Sequence, residues 1–167
     1  VTMQSGIEIE KAFTESGIPD GIFQTVIGSV ESANHLIDSD VNAVTFTGST
    51  DAGAKVGQRA AMNLKKCVLE LGGSDPFIVL DDAIIEKAAE GAVKGRFINC
   101  GQSCVASKRF FVGKNIAKEF IELFIKKASQ LKIGDPTLIE TDIGPLANKD
   151  GLETISGIVE DAKEKGA

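Results

Sequence analysis

Apolar positions along this chain switch repeatedly between a helical spacing and short continuous runs. From Met3 to Ser16, Ile7, Ile9, Ala12 and Phe13 fall mostly at helical spacing, and Gly17-Ile18-Pro19-Asp20-Gly21 then supplies stop and turn chemistry. Short β-branched or apolar runs predict strands at 23–27, 43–47, 67–71, 77–80 and 109–112. Helical periodicity predicts helices at 29–38, 50–64 and 84–97. The periodic set Ile116, Phe120, Leu123, Phe124, Lys127 and Leu131 predicts a further helix whose exit is broken at Asp135-Pro136. Residues 142–149 read as irregular, and 151–165 as a last amphipathic helix with Ile155, Ile158, Val159 and Ala162 directed inward. Strands alternating with helices are the pattern of an α/β fold with a mainly parallel sheet and flanking helices. Gly72-Gly73 before Ser74-Asp75-Pro76 marks the clearest change of direction and a candidate domain boundary.

Composition narrows the class. The chain has 167 residues, 43% hydrophobic and 25% charged, ordinary globular usage and far from the signature of disorder. Net charge is −6, and basic residues cluster no further than the pairs Lys65-Lys66, Lys108-Arg109 and Lys126-Lys127, so a nucleic-acid partner is not expected. No apolar run reaches the roughly 18 residues of a membrane span, and no secretory signal pattern follows Val1. Three cysteines without a spacing framework suit a reducing compartment, so a soluble cytoplasmic protein is expected. Val1 is not an initiator methionine and the last helical run stops at Lys165-Gly166-Ala167 without a tail, which reads as a fragment of a longer chain.

Three constellations could carry chemistry. Gly48-Ser49-Thr50-Asp51-Ala52-Gly53 follows an apolar strand and opens a helix, where backbone N–H groups and the helix dipole suit a phosphate. It matches neither the two-glycine dinucleotide fingerprint nor a Walker loop, and the same residues also read as a plain turn with Ser49 or Thr50 as N-cap. In Leu69-Glu70-Leu71-Gly72-Gly73 a carboxylate ends an apolar strand, at the edge where open parallel sheets bind ligands. Burial among Val68, Leu69 and Leu71 would raise its pKa and make it a general base; a solvated glutamate paired with Lys65 or Lys66 is the other reading. In Phe97-Ile98-Asn99-Cys100-Gly101-Gln102-Ser103-Cys104, Gly101 permits a turn that aims a thiol at a cleft, where a positive helix terminus or a cofactor charge would activate it. Both cysteines are equally read as small buried hydrophobes. Cys67 reads as a buried structural thiol and His35 as a surface helix residue.

Together, Thr47-Gly48-Ser49-Thr50 after a strand, Leu69-Glu70-Leu71-Gly72-Gly73, and Phe97 with Gly101-Gln102-x-Cys104 resemble the aldehyde dehydrogenase superfamily in order and spacing. Glu70 and Cys104 stand 104 − 70 = 34 residues apart, the separation this family's two catalytic motifs usually keep. The resemblance covers essentially the whole chain. It implies that 1–71 is the later part of a Rossmann-like coenzyme-binding domain and 72–167 the first part of a catalytic domain. It implies NAD or NADP as cofactor, a small-molecule aldehyde as substrate, no metal, and a homo-oligomeric parent.

By the same resemblance Cys104 is the nucleophile that forms a thiohemiacetal and then a thioester, and Glu70 activates the water that hydrolyses it. Gly48, Ser49 and Gly53 lie near the pyrophosphate and Leu71 and Gly72 near the nicotinamide, while the Cys104 N–H forms half of an oxyanion site. The presence of Glu70 favours hydrolysis over transfer to coenzyme A. The run from Glu70 to Leu80 looks most like bacterial succinate-semialdehyde dehydrogenases. Cys100, four residues before Cys104, would bring two sulfurs together if the segment were helical, giving a reversible disulfide. The alternatives are a non-catalytic binding module on the same scaffold, an enzyme for another small aldehyde, or a cysteine hydrolase pairing Cys104 with His35. The isolated fragment is expected to be inactive.

Overall fold

The computed structural model describes residues 2–167, and these divide into two compact units, one up to Leu71 and the other Gly72–Ala167. Each unit is built on one parallel strand pair with flanking helices, the parallel α/β pattern expected from the alternation, as two separate two-stranded sheets. Among the described residues no helix is long and apolar enough to cross a membrane.

In the first unit the elements are α1 (Met3–Glu15), α2 (Val30–Asp38), β1 (Ala43–Thr47), α3 (Thr50–Met62) and β2 (Lys66–Glu70). β1 and β2 pair in parallel from Ala43 opposite Lys66 to Thr47 opposite Glu70. Parallel neighbours need a crossover, and α3 supplies it. Ser49 starts α3 by accepting the Ala52 N–H at 3.2 Å, and Ser29 starts α2 by accepting that of Glu31 at 3.2 Å.

The expected strand at 23–27 does not form. Its residues have no ladder partner among the described elements; the Thr25 N–H donates to the Glu10 carboxylate at 3.0 Å, the Thr25 hydroxyl to the Gly6 carbonyl at 3.0 Å, and Phe23 stacks on Phe13 with centroids 4.5 Å apart. An extended β-branched run becomes a strand only when a neighbour takes its backbone hydrogen bonds.

α2 is fastened to α3 and to the start of β2 by a polar clamp. The Asp38 carboxylate accepts Arg59 through both Nε, at 2.9 Å, and Nη2, and also the Asn63 amide at 3.2 Å. Lys65 Nζ donates to the Ile37 carbonyl at 2.6 Å and to that of Ser39. Beneath the clamp lie Ile37 and Ala60, both buried.

The second unit contains β3 (Asp75–Val79), α4 (Ile85–Phe97), a 3-10 turn (Ile98–Gly101), β4 (Ser107–Val112), α5 (Ala117–Ala128) and α6 (Lys149–Glu164). β3 and β4 are parallel, with a register irregularity at Asp75/Pro76, where proline lacks the N–H that a regular ladder uses. Val79, Ala89, Ala92 and Phe120 are the buried core, with Phe77, Phe110, Leu123 and Phe124 packed around them. Alanines on the inner face of α4 leave room for aromatic rings on α5 and β4: Phe110 meets Phe124 edge-on at 5.4 Å and Phe77 at 5.6 Å.

Two expectations fail in this unit. α5 ends at Ala128 and not at Leu131. No residue of α6 is buried: Ile155, Ile158 and Val159 are 42%, 57% and 44% exposed, so the stripe read as inward-facing is not part of a core among the described residues. The helix itself is well started, with the Asn148 side chain accepting the Gly151 N–H at 2.8 Å.

The clamp generates a pH test. The Arg59 hydrogen bond, reinforced by its charge and by Asn63, holds the Asp38 carboxyl below its ordinary value of 3.8. A lowered folded-state pKa adds stability that is fully present above the unfolded value and is lost as pH falls through the folded one. Urea titrations should therefore show Arg59→Met less stable than the wild type at neutral pH, with the gap closing as pH drops below 3.8.

Candidate active site

Parallel pairing of β1 and β2 brings their carboxyl ends together, so five residues singled out in the sequence collect at one edge of the first unit. The ladder continues one step past the strands, with the Gly48 N–H donating to the Glu70 carbonyl at 3.0 Å. A Cβ at Gly48 would lie 2.4 Å from the Phe46 ring, and one at Gly53 would lie 2.3 Å from Leu71 Cδ2. The two glycines thus let the turn and the first turn of α3 close onto β1 and Leu71. Ser49 spends its side chain on the helix cap, leaving its surroundings to offer backbone donors and the dipole.

Glu70 is exposed, and its neighbours Val68 and Leu69 are 54% and 37% exposed, so the apolar burial expected around the carboxylate is not provided within this chain. Neither does it form the alternative ion pair with Lys65 or Lys66: Lys65 is committed to the clamp, and among the described residues no salt bridge involves Glu70.

Sequence reasoning missed a cavity of about 650 Å³ between α2 and α3, lined by Val30, Ala33, Ile37, Val56 and Ala52 and reaching Ser49. The signal was present as the i, i+3, i+7 stripe of Val30, Ala33 and Ile37, which reads as ordinary core until the facing helix is seen to stand off from it. Apolar walls beside a helix N-terminus suit a planar aromatic group attached to a phosphate.

In the second unit Cys104 is exposed on the loop between the 3-10 turn and β4. The loop is unusual in its backbone: Asn99, Cys100 and Gly101 all have left-handed φ, at 51°, 56° and 75°. Only the glycine was legible as such; the two side-chain-bearing residues carry the strain associated with functional turns. This geometry removes the premise of a helical Cys100–Cys104 pair, and both thiols are free. Cys100 is half-buried, with its Sγ 3.9 Å from where a Cβ on Gly144 would stand. The helix end that leads into the loop is the C-terminus of α4, the negative end of its dipole, so the positive terminus expected to activate the thiol is not supplied by α4.

What holds Cys104 is backbone packing. A Cβ on Gly73 would lie 2.8 Å from the Cys104 carbonyl oxygen, a contact with rigid backbone, whereas nothing lies within 4 Å of a Cβ on Gly72. Lys108 Nζ donates to the Gly73 carbonyl and, at 3.3 Å, to that of Ser103. The Gln102 side chain accepts the Ala147 N–H at 3.5 Å. Cys67 is half-buried in β2, less enclosed than expected, and His35 is exposed on α2 as expected.

The sequence profile of the aldehyde dehydrogenase family matches residues 1–167. The chain belongs to that family. It is 47% identical over 165 residues to a probable succinate-semialdehyde dehydrogenase for NADP(+) of Synechocystis sp., covering 98% of this chain and 36% of that protein. It is 46% identical over 160 residues to an NAD(P)+ succinate semialdehyde dehydrogenase of Escherichia coli, covering 95% and 35%. Among solved structures it superposes with a TM-score of 0.93 and 33% identity on a mutant aldehyde dehydrogenase C of Pseudomonas syringae complexed with NAD+ and octanal, covering 98% of this chain and 34% of that one. The chain therefore spans about a third of the length of the curated relatives it matches.

In this aldehyde dehydrogenase segment Glu70 belongs to the first unit and Cys104 to the second. The paired glycines after Glu70 are not equivalent, and that difference is testable. Gly73→Ala should cost about 1–3 kcal/mol, the usual penalty of overpacking, and should alter the rate at which Cys104 is alkylated. Gly72→Ala should leave both unchanged, as read by denaturant unfolding and thiol labelling.

Proposed function

We propose that the protein containing this chain oxidises succinate semialdehyde to the carboxylic acid with NAD or NADP. The observation that carries the reading is an exposed Cys104, held by its backbone against Gly73 on a strained loop, in a chain whose Glu70 keeps the family's spacing from it. The choice of substrate is supported by two relatives, succinate-semialdehyde dehydrogenases at 47% and 46% identity. Residues 1–71 are then the later part of the coenzyme-binding domain and 72–167 the opening part of the catalytic domain, in a cytoplasmic homo-oligomer.

The cavity between α2 and α3 and the capped helix start beside it support a dinucleotide. Gly48, Ser49 and Gly53 would hold the pyrophosphate, the α2–α3 cavity would take the adenine, and Leu71 and Gly72 would border the nicotinamide. When bound, the oxidised cofactor accepts the hydride that leaves the aldehyde carbon.

Cys104 contributes the covalent step. Its sulfur forms a bond to the carbonyl carbon as the C=O π pair moves onto oxygen, where the Cys104 N–H donates to the developing charge. Loss of the hydride restores the carbonyl as a thioester. Glu70 then takes a proton from water, the hydroxyl adds to the thioester carbon, and the C–S bond breaks to release the acid and the thiolate. Exposure of Glu70 suits a base that works through water.

Aldehyde-dependent reduction of NAD(P), followed by absorbance of the reduced nicotinamide in the full-length protein, tests this. Cys104→Ala should bring turnover to background. Glu70→Gln should keep a roughly stoichiometric burst while steady-state turnover falls about 10²–10⁴-fold. A panel of simple aldehydes should be oxidised more slowly than succinate semialdehyde, and equal rates across the panel would reject that substrate. The 167-residue chain alone should not turn over.

A further inference from the structure

Lys108, the second residue of β4, has no part in the chemistry just described, yet it is placed against the peptide that matters most to it. Lys108 Nζ bridges two carbonyls from different segments, that of Gly73 and, at 3.3 Å, that of Ser103. The Ser103 carbonyl is held a second time by the Ala106 N–H at 3.2 Å. Ser103 C=O and Cys104 N–H are the two ends of one peptide plane, and in a trans peptide they point in opposite directions. Pinning the oxygen toward Lys108 therefore fixes the N–H on the other side. Among the described residues no acceptor takes that N–H. The next carbonyl, that of Cys104, also faces this side, since a Cβ on Gly73 would stand 2.8 Å from it. Both peptides flanking the cysteine are thus oriented from one direction, by one ammonium and one glycine.

We infer that Lys108 is a positioning residue that orients and polarises the Ser103–Cys104 peptide so that the Cys104 N–H serves as the oxyanion donor. Donation from a cation into the carbonyl withdraws electron density from the peptide and strengthens its N–H as a donor, the cooperative effect of linked hydrogen bonds. Fixing the plane in advance removes the need to reorganise when charge develops. The inference rests on the reading of Cys104 as nucleophile and adds to it a residue that touches neither substrate nor sulfur.

The test separates carbonyl addition from simple thiol reactivity. Attack on an aldehyde places charge on oxygen and needs the N–H; alkylation by iodoacetamide displaces iodide at carbon and needs no oxyanion donor. In the full-length enzyme, Lys108→Met should lower kcat/KM for the aldehyde by roughly tenfold, less than the hundredfold or more that loss of a direct oxyanion donor costs. The Cys104 alkylation rate and cofactor affinity should stay within twofold of the wild type (about 0.4 kcal/mol). Lys108→Arg, which keeps a cation able to reach two carbonyls, should recover most of the loss. Should Lys108→Met not fold, Lys108→Gln carries the same comparison. An unchanged kcat/KM, or alkylation slowed in step with turnover, overturns the inference, since the lysine would then be idle or acting through the thiol or the loop's order. Retained activity in Cys104→Ala would instead remove the catalytic reading itself.

Discussion

Parallel strand pairing is the constraint on which the rest of this structure depends. A parallel pair cannot be closed by a tight turn, so each pair recruits a helix as its crossover, α3 for β1–β2 and α4 for β3–β4. The same polarity gathers like ends at one edge. At the carboxyl edge of β1–β2 this puts the Gly48-Ser49 turn beside Glu70, and at the amino edge of β3–β4 it puts Gly73 beside Cys104. Both candidate sites lie in connections just outside a sheet, where side chains are freed from the ladder while their backbones remain anchored by it.

The two edges use glycine differently. Gly48 and Gly53 make room for side chains, a phenyl ring and a leucine methyl, which can yield by small rotations. Gly73 makes room for a backbone carbonyl, which cannot. This difference explains why the segment after Glu70 and the loop bearing Cys104 behave as one braced piece within the second unit, with Lys108 supplying the polar half of the brace. Polar clamps recur across the chain. Asp38, Arg59, Asn63 and Lys65 fasten α2 in the first unit much as Lys108 fastens the cysteine loop in the second. Small apolar cores, Ile37 with Ala60 on one side and the Phe120 cluster on the other, leave such clamps a larger share of the positioning.

Exposure tells the complementary story. The stripe on α6, the outer faces of Val68 and Leu69, and Val26 and Ile27 in the unpaired segment after α1 are apolar surface of the kind normally covered. Glu70 is itself solvent-exposed, in an environment far less apolar than its sequence neighbours suggest.

Local pattern was enough for most of the elements and for marking out the three candidate motifs. Strand β1, helices α1 to α4, the cap at Ser49 and the trio of motifs around Gly48, Glu70 and Cys104 are all local in sequence, set by periodicity, capping chemistry and fixed spacing. What required tertiary structure was everything that depends on a neighbour. Residues 23–27 had strand chemistry but no ladder, and the α6 stripe had helical spacing but stays largely exposed. The α2–α3 cavity showed in the sequence only as an ordinary core stripe, and the left-handed Asn99 and Cys100 and the Lys108 bridge to Gly73 and Ser103 left no signal at all. Each is a relation between segments: helices that stand apart, a loop forced through a tight reversal, and a side chain reaching a carbonyl 35 residues away. Spacing along a chain encodes local hydrogen bonding directly, whereas such distances are fixed only when the whole unit packs.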